Sequence, residues 1–156
     1  MRALVMIGLA STLALAACST SPAEPTTSVA VPPAATVAPG SQEDLVANIG
    51  DRVFFAFDQS ILNSEGQQTL DRQASWLARY PQNNVMIAGN CDERGTEEYN
   101  IVLGNRRAVT AAQVLQAKGV SGSRITTISY GKDRPTALGS NEAAWAQNRN
   151  AITSVK

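Results

Sequence analysis

The sequence predicts an α/β fold, a sandwich in which helices pack on one face of a sheet. Three observations point there. Short β-branched and aromatic runs recur at residues 52–57, 85–88, 124–129 and 151–155. Two longer stretches between them carry apolar residues at helical spacing. Gly, Pro and Asn punctuate nearly every junction. The order is strand, helix, strand, helix, strand, then a short helix and a last strand, which suits one layered core.

Each element has its own warrant. Arg52–Phe57 is β-branched and aromatic, and Asp58-Gln59-Ser60 breaks it. Ser64, with Gln67 three residues later, forms a capping box, and Leu70, Ala74 and Leu77 continue a helix to about residue 80. Pro81 lies just beyond its end. Val85–Ala88 reads as a short buried strand. Asn90 to Thr96 is a polar loop. Gly95 or Thr96 starts a long helix whose Glu97 and Glu98 suit the positive end of the helix dipole. Gly119 stops it after Lys118. Arg124–Ser129 is a third strand, Tyr130-Gly131 and Pro135 mark a loop, Glu142–Gln147 a helix, and Ala151–Val155 the last strand.

Only residues 45–156 have this character. Residues 1–17 hold one charge, Arg2, and thirteen apolar or Ala residues, the pattern of a signal peptide. The run is shorter than the ~20 residues a membrane span needs. It closes on Leu15-Ala16-Ala17-Cys18, which resembles the bacterial lipobox, where the cysteine is lipidated and becomes the first residue. The alternative is an ordinary signal peptide with an incidental cysteine; the position of Cys18 directly after the apolar run favours lipidation. Ser19 in place of Asp implies sorting to the outer membrane, with the domain in the periplasm. Residues 18–44 read as the lipidated cysteine plus a tether. Residues 19–40 contain five prolines, seven Ser/Thr, five Ala and a single charge. Such a chain spans on the order of 70 Å in a polyproline-like state.

Composition excludes several functions. The chain has 156 residues, 13 Lys+Arg against 13 Asp+Glu, and no histidine. Zero net charge argues against nucleic-acid binding. Without histidine there is no Ser-His-Asp or Cys-His catalysis and no His-ligated zinc. With Cys18 lipidated, Cys91 has no disulfide partner. Asp92, Glu93, Glu97 and Glu98 are clustered acids, but arginines surround them, and their spacing lacks the alternation of an EF-hand. We therefore expect no enzyme, no metal and no cofactor.

Residues 89–109 carry the chemistry. Asn100, Leu103 and Arg107 fall at i, i+3 and i+7, along one helix face. Arg107 then points back toward the loop that holds Asp92. Such a pair suits a zwitterion: arginine takes a carboxylate bidentately and aspartate takes an ammonium. The same pair could equally be a salt bridge that orders the loop.

Val53–Asp58, Gly89–Asn100, Leu103–Ala108, Tyr130-Gly131-Lys132 and Asn148-Arg149 resemble the OmpA-like peptidoglycan-binding family. The lipobox and tether extend the likeness to the lipoproteins of the Tol–Pal system. The resemblance implies a mixed four-stranded sheet and noncovalent binding of the diaminopimelate stem peptide of peptidoglycan. It implies that Asp92 and Arg107 hold the amino and carboxylate groups of diaminopimelate. Phe57 and Asp58 would line the pocket, Asn100 and Leu103 would support it, and Arg149 would border it. It also implies a TolB-like periplasmic partner, reached through the 91–98 and Tyr130–Arg134 loops. The alternative function is therefore a protein-interaction scaffold with weakened wall binding. The chain departs from the family pattern at four positions. Asn90 stands for histidine, Ala88 for a frequent glutamate, Asn105 for a common acid and Asn150 for arginine. The change at 90 removes a titratable wall of the loop, and the change at 150 removes a charge near the site.

Overall fold

The computed structural model describes residues 37–156. The signal peptide, Cys18 and the tether up to residue 36 lie outside the described residues. A short helix, α1 (Gln42–Asp44), runs into one π-helical turn over Leu45–Ile49. Then follow β1 (Arg52–Phe54), α2 (Ser64–Arg79), β2 (Val85–Asn90), α3 (Glu97–Ala117), β3 (Ile125–Gly131), α4 (Glu142–Asn148) and β4 (Asn150–Val155). The strands form one sheet in the order β1-β4-β2-β3. β4 pairs antiparallel with both β1 and β2, and β2 pairs parallel with β3. The sheet is mixed and four-stranded, and its elements alternate as the sequence predicts.

Local details differ from expectation for identifiable reasons. β1 stops at Phe54, and the Phe55 N–H still reaches the Arg149 carbonyl at 2.9 Å before the chain turns away. Asp58 then adopts φ 57°, so the aromatic run 52–57 is only half strand. The cap of α2 is Asn63, whose side chain accepts from the Gly66 N–H at 2.8 Å; the Ser64–Gln67 box does not form. β3 runs on through Tyr130 and Gly131 because its parallel pairing with β2 continues past a register shift at Gly89/Asn90. α1 begins before residue 45. The Asp44 carboxylate accepts from Trp76 Nε1 at 2.8 Å, and Gln42 Oε1 accepts from the Val155 N–H at 2.7 Å. So short a helix has no stability of its own, and these tertiary contacts hold it.

α2 and α3 cover one face of the sheet. Leu70, Ala74, Trp76 and Leu77 of α2 and Ala108, Ala111, Ala112 and Leu115 of α3 are buried with Val53, Val85, Ile87 and Ala151 of the strands. Burying each large aliphatic side chain contributes roughly 1.5–3 kcal/mol. Alanines on α3 let it sit close to the sheet, and one contact sets how close. A Cβ on Gly89 would lie 1.8 Å from the Gly104 carbonyl oxygen, and one on Gly104 would lie 2.8 Å from the Gly89 oxygen. Helix and strand therefore touch backbone to backbone. Asn100 lies about one turn before this contact and Arg107 about one turn after it. The contact thereby holds both over the end of β2.

Candidate functional site

Beyond the end of β2 lies a cavity of about 190 Å³. Phe57, Asp58, Asp92, Asn100, Leu103, Arg107 and Arg149 all line it, and Cys91, Arg94, Gly95 and Tyr99 complete the wall. The residues singled out from sequence thus converge from four places: the β1–α2 connection, the β2–α3 loop, the first half of α3, and the α4–β4 junction. Local chemistry shapes the loop. Gly95 takes φ 87°, and Thr96 caps α3 by accepting from the Tyr99 N–H at 3.2 Å. Asn100 Nδ2 donates to the carbonyls of Arg94 at 2.8 Å and Thr96 at 3.0 Å. Asn100 therefore fastens the loop from below. Cys91 is a buried free thiol, and burial pushes its pKa up.

Arg107 is 1% exposed. Its guanidinium donates to three backbone carbonyls: Gln59 at 2.9 Å, Asn90 at 2.8 Å and Ala56 at 3.3 Å. Arginine has five N–H donors, so two remain. Burial pushes its pKa down. Among the described residues no carboxylate forms an ion pair with it. The Asp92–Arg107 salt bridge open from sequence is therefore absent. Asp92 is paired instead with Arg94 at 2.6 Å and Arg149 at 3.3 Å. The reason is geometric: the fork of Arg107 is directed at carbonyls, and Arg94 stands two residues from Asp92. Burial pushes the Asp92 carboxyl up, but hydrogen bonds from Arg94 and Arg149 outweigh it, and the net shift is downward.

The sequence model of the OmpA family matches residues 54–149, the stretch that builds this cavity. The peptidoglycan-associated lipoprotein of Rhizobium meliloti (strain 1021) is 47% identical over 150 residues, covering 96% of this chain and 85% of the relative. That of Brucella melitensis biotype 1 is 50% identical over 115 residues, 74% of this chain and 68% of the relative. The chain belongs to the OmpA family, among the peptidoglycan-associated lipoproteins. The crystal structure of the peptidoglycan-associated lipoprotein from Burkholderia pseudomallei matches with TM-score 0.66 at 40% identity, over 68% of this chain and 90% of that one. The C-terminal domain of Helicobacter pylori MotB matches with TM-score 0.64 at 19% identity, over 68% and 84% of the two chains, and shares the fold.

In this OmpA-family chain the sequence did not single out Arg94 on the cavity wall, nor Trp145 and Glu142 behind it. The Arg94 guanidinium is sandwiched between the rings of Phe57 and Trp145, 4.1 Å from each centroid. Trp145 Nε1 donates to Glu93 at 3.0 Å. Arg149 donates to the Phe55 carbonyl at 3.1 Å and to Glu142 at 2.7 Å, so it ties α4 to the site. The Tyr99 hydroxyl donates to the Asp58 carboxylate, which raises the Tyr99 pKa. Arg94 lies in the motif stretch, but a loop residue has no periodicity to mark it. Trp145 and Glu142 lie some fifty residues away in sequence.

The departures at 90 and 150 meet each other. Asn90 Nδ2 donates to Asn150 Oδ1 at 2.8 Å, and Asn150 Nδ2 donates to Thr136 Oγ1 at 3.0 Å and to the Gln147 carbonyl at 2.6 Å. Asn90 Oδ1 is buried with no hydrogen-bond partner among the described residues. Neither side chain lines the cavity. The two changes form one neutral amide pair behind the wall, so the change at 90 does not strip a wall from the cavity itself.

Proposed function

We propose that this chain is an outer-membrane lipoprotein, anchored through Cys18, whose periplasmic domain noncovalently binds the diaminopimelate stem peptide of peptidoglycan. It thereby ties the outer membrane to the cell wall within the Tol–Pal system and catalyses nothing. The observation that carries this reading is Arg107. A buried guanidinium with no carboxylate partner among the described residues and two unused donors, on the wall of a small cavity, is built to receive a carboxylate. Asp92 and Asp58 in the same wall complement an ammonium. A free amino-acid head group carries both charges, and the side-chain end of diaminopimelate is one. The names of the relatives point to the same polymer.

The test is sedimentation with purified diaminopimelate-type sacculi. The full-length chain pellets with them, and the Asp92→Ala and Arg107→Ala forms stay in the supernatant. Pelleting of both variants at the parental level would refute the assignment.

A protein-binding role is favoured by a separate observation. Phe57, Tyr99 and Val102 are 57%, 49% and 51% exposed, and two of them stand at the cavity wall. A TolB-like partner seated on these side chains would cover the cavity, so wall and partner would exclude each other. Soluble peptidoglycan fragments competing with such a partner for the chain would be the signature.

A further inference from the structure

Asp92 raises a difficulty for any ammonium ligand. Its carboxylate already accepts from the Arg94 N–H at 3.2 Å, Arg94 Nε at 3.2 Å, Arg94 Nη2 at 2.6 Å and Arg149 Nη1 at 3.3 Å. A carboxylate offers about four acceptor sites, so Asp92 is saturated. An ammonium gains it only by taking the place of a present donor. The two arginines differ in how firmly they are held. The Arg149 side chain is 8% exposed and is fastened by the Phe55 carbonyl and Glu142. The Arg94 side chain is 32% exposed, and a second acceptor, Glu142 Oε2, stands only 3.8 Å from its Nη2. The guanidinium lies 4.1 Å from the Phe57 and Trp145 ring centroids, with Asp92 and Glu142 both within reach of its Nη2.

We propose that Arg94 is an internal competitor for the site: it holds Asp92 and yields that carboxylate to the ammonium of an incoming amino-acid head group, moving to Glu142 within its aromatic sandwich. This rests on the reading that the cavity takes such a head group. It makes Arg94 a specificity-determining residue. A ligand with a free ammonium compensates Asp92 for the lost guanidinium. A ligand whose amine is acylated does not, and leaves the Asp92–Arg94 pair in place. The exchange also explains why a site rich in arginine accepts a cationic group at all, since the carboxylate is kept charged and oriented until the group arrives.

The experiment titrates meso-diaminopimelate into the full-length chain, with calorimetry for affinity and tryptophan emission for the stack. Trp145→Phe supplies the background from buried Trp76. The parent binds, and Trp145 emission changes as the site fills. Arg94→Gln binds about fivefold more tightly, the size of one partly exposed ion pair removed as competitor. Arg94→Lys keeps a charge but loses the planar fork, so its affinity falls between the two. Arg94→Gln or Arg94→Lys binding more weakly than the parent overturns the proposal, because a direct or merely ordering contact predicts that sign. Unchanged Trp145 emission at calorimetric saturation overturns it as well. Absence of any binding by the parent would instead sink the head-group reading, and the exchange with it.

Discussion

Arg107 and Arg124 each donate to three backbone carbonyls, at two places in the fold, and the difference between them separates a structural site from a functional one. Arg124 donates to the carbonyls of Leu77 at 3.1 Å, Tyr80 at 3.0 Å and Asn83 at 2.7 Å. Two of those carbonyls close the end of α2, where the last turn lacks partners and the dipole is negative. Arg124 is half-buried and serves as a helix cap. Arg107 gathers carbonyls from two segments far apart in sequence, Ala56 and Gln59 of the β1–α2 connection and Asn90 at the end of β2, is fully buried, and faces a cavity with donors to spare. Carbonyl ligation by itself therefore says little about role. Leftover donors on a cavity wall say more.

The comparison can be broken most directly by removing each arginine. Arg107→Ala should abolish pelleting with sacculi. Arg124→Ala should leave pelleting intact while lowering stability by about 1.5–3 kcal/mol, the worth of hydrogen bonds from a charged donor. Equal loss of pelleting in both would erase the distinction. Gly104→Ala comes next. Its Cβ would press on the Gly89 carbonyl and on Ser129 Oγ, 2.4 Å away, so α3 must lift from β2 and carry Arg107 with it. A loss of about 1–3 kcal/mol in urea denaturation, with weaker pelleting, is expected. Parental stability and binding would mean that the close backbone approach does not position the site.

Asn150→Ala sharpens where the wall ends. It leaves the Asn90 amide with only its 3.3 Å bond to the Ala88 carbonyl, and should cost about 1–3 kcal/mol with pelleting retained. Pelleting that falls at temperatures where the variant is fully folded would make the amide pair part of the site. The smallest effect concerns α1. Hydrogen bonds from Trp76, Gly40 and Asn48 lower the Asp44 pKa from 3.8 to about 2. A depressed carboxyl stabilises the fold above its unfolded value and loses that contribution as pH falls toward the folded one. The Trp76 signal should therefore stay native at pH 4 and shift only as pH approaches about 2. A shift already complete at pH 4 would contradict this anchoring.

By itself the sequence determined the alternation of strands and helices, the stop at Gly119, the acidic start of α3, and the face on which Asn100, Leu103 and Arg107 line up. Such features depend on residues within a few positions of one another, through 3.6- and 2-residue periods, caps and turns. The motif also brought Asp92 and Arg107 into view as a pair. Tertiary structure decided what that pair is. It turned Arg107 toward the carbonyls of Ala56, Gln59 and Asn90, and it matched Asp92 with Arg94 and Arg149. It joined Asn90 to Asn150 across 60 residues, stacked Arg94 between Phe57 and Trp145, and docked α1 on Trp76. The partner of a charged or amide side chain is chosen by whichever group packing brings within about 3 Å. For residues tens of positions apart, no local period records that choice.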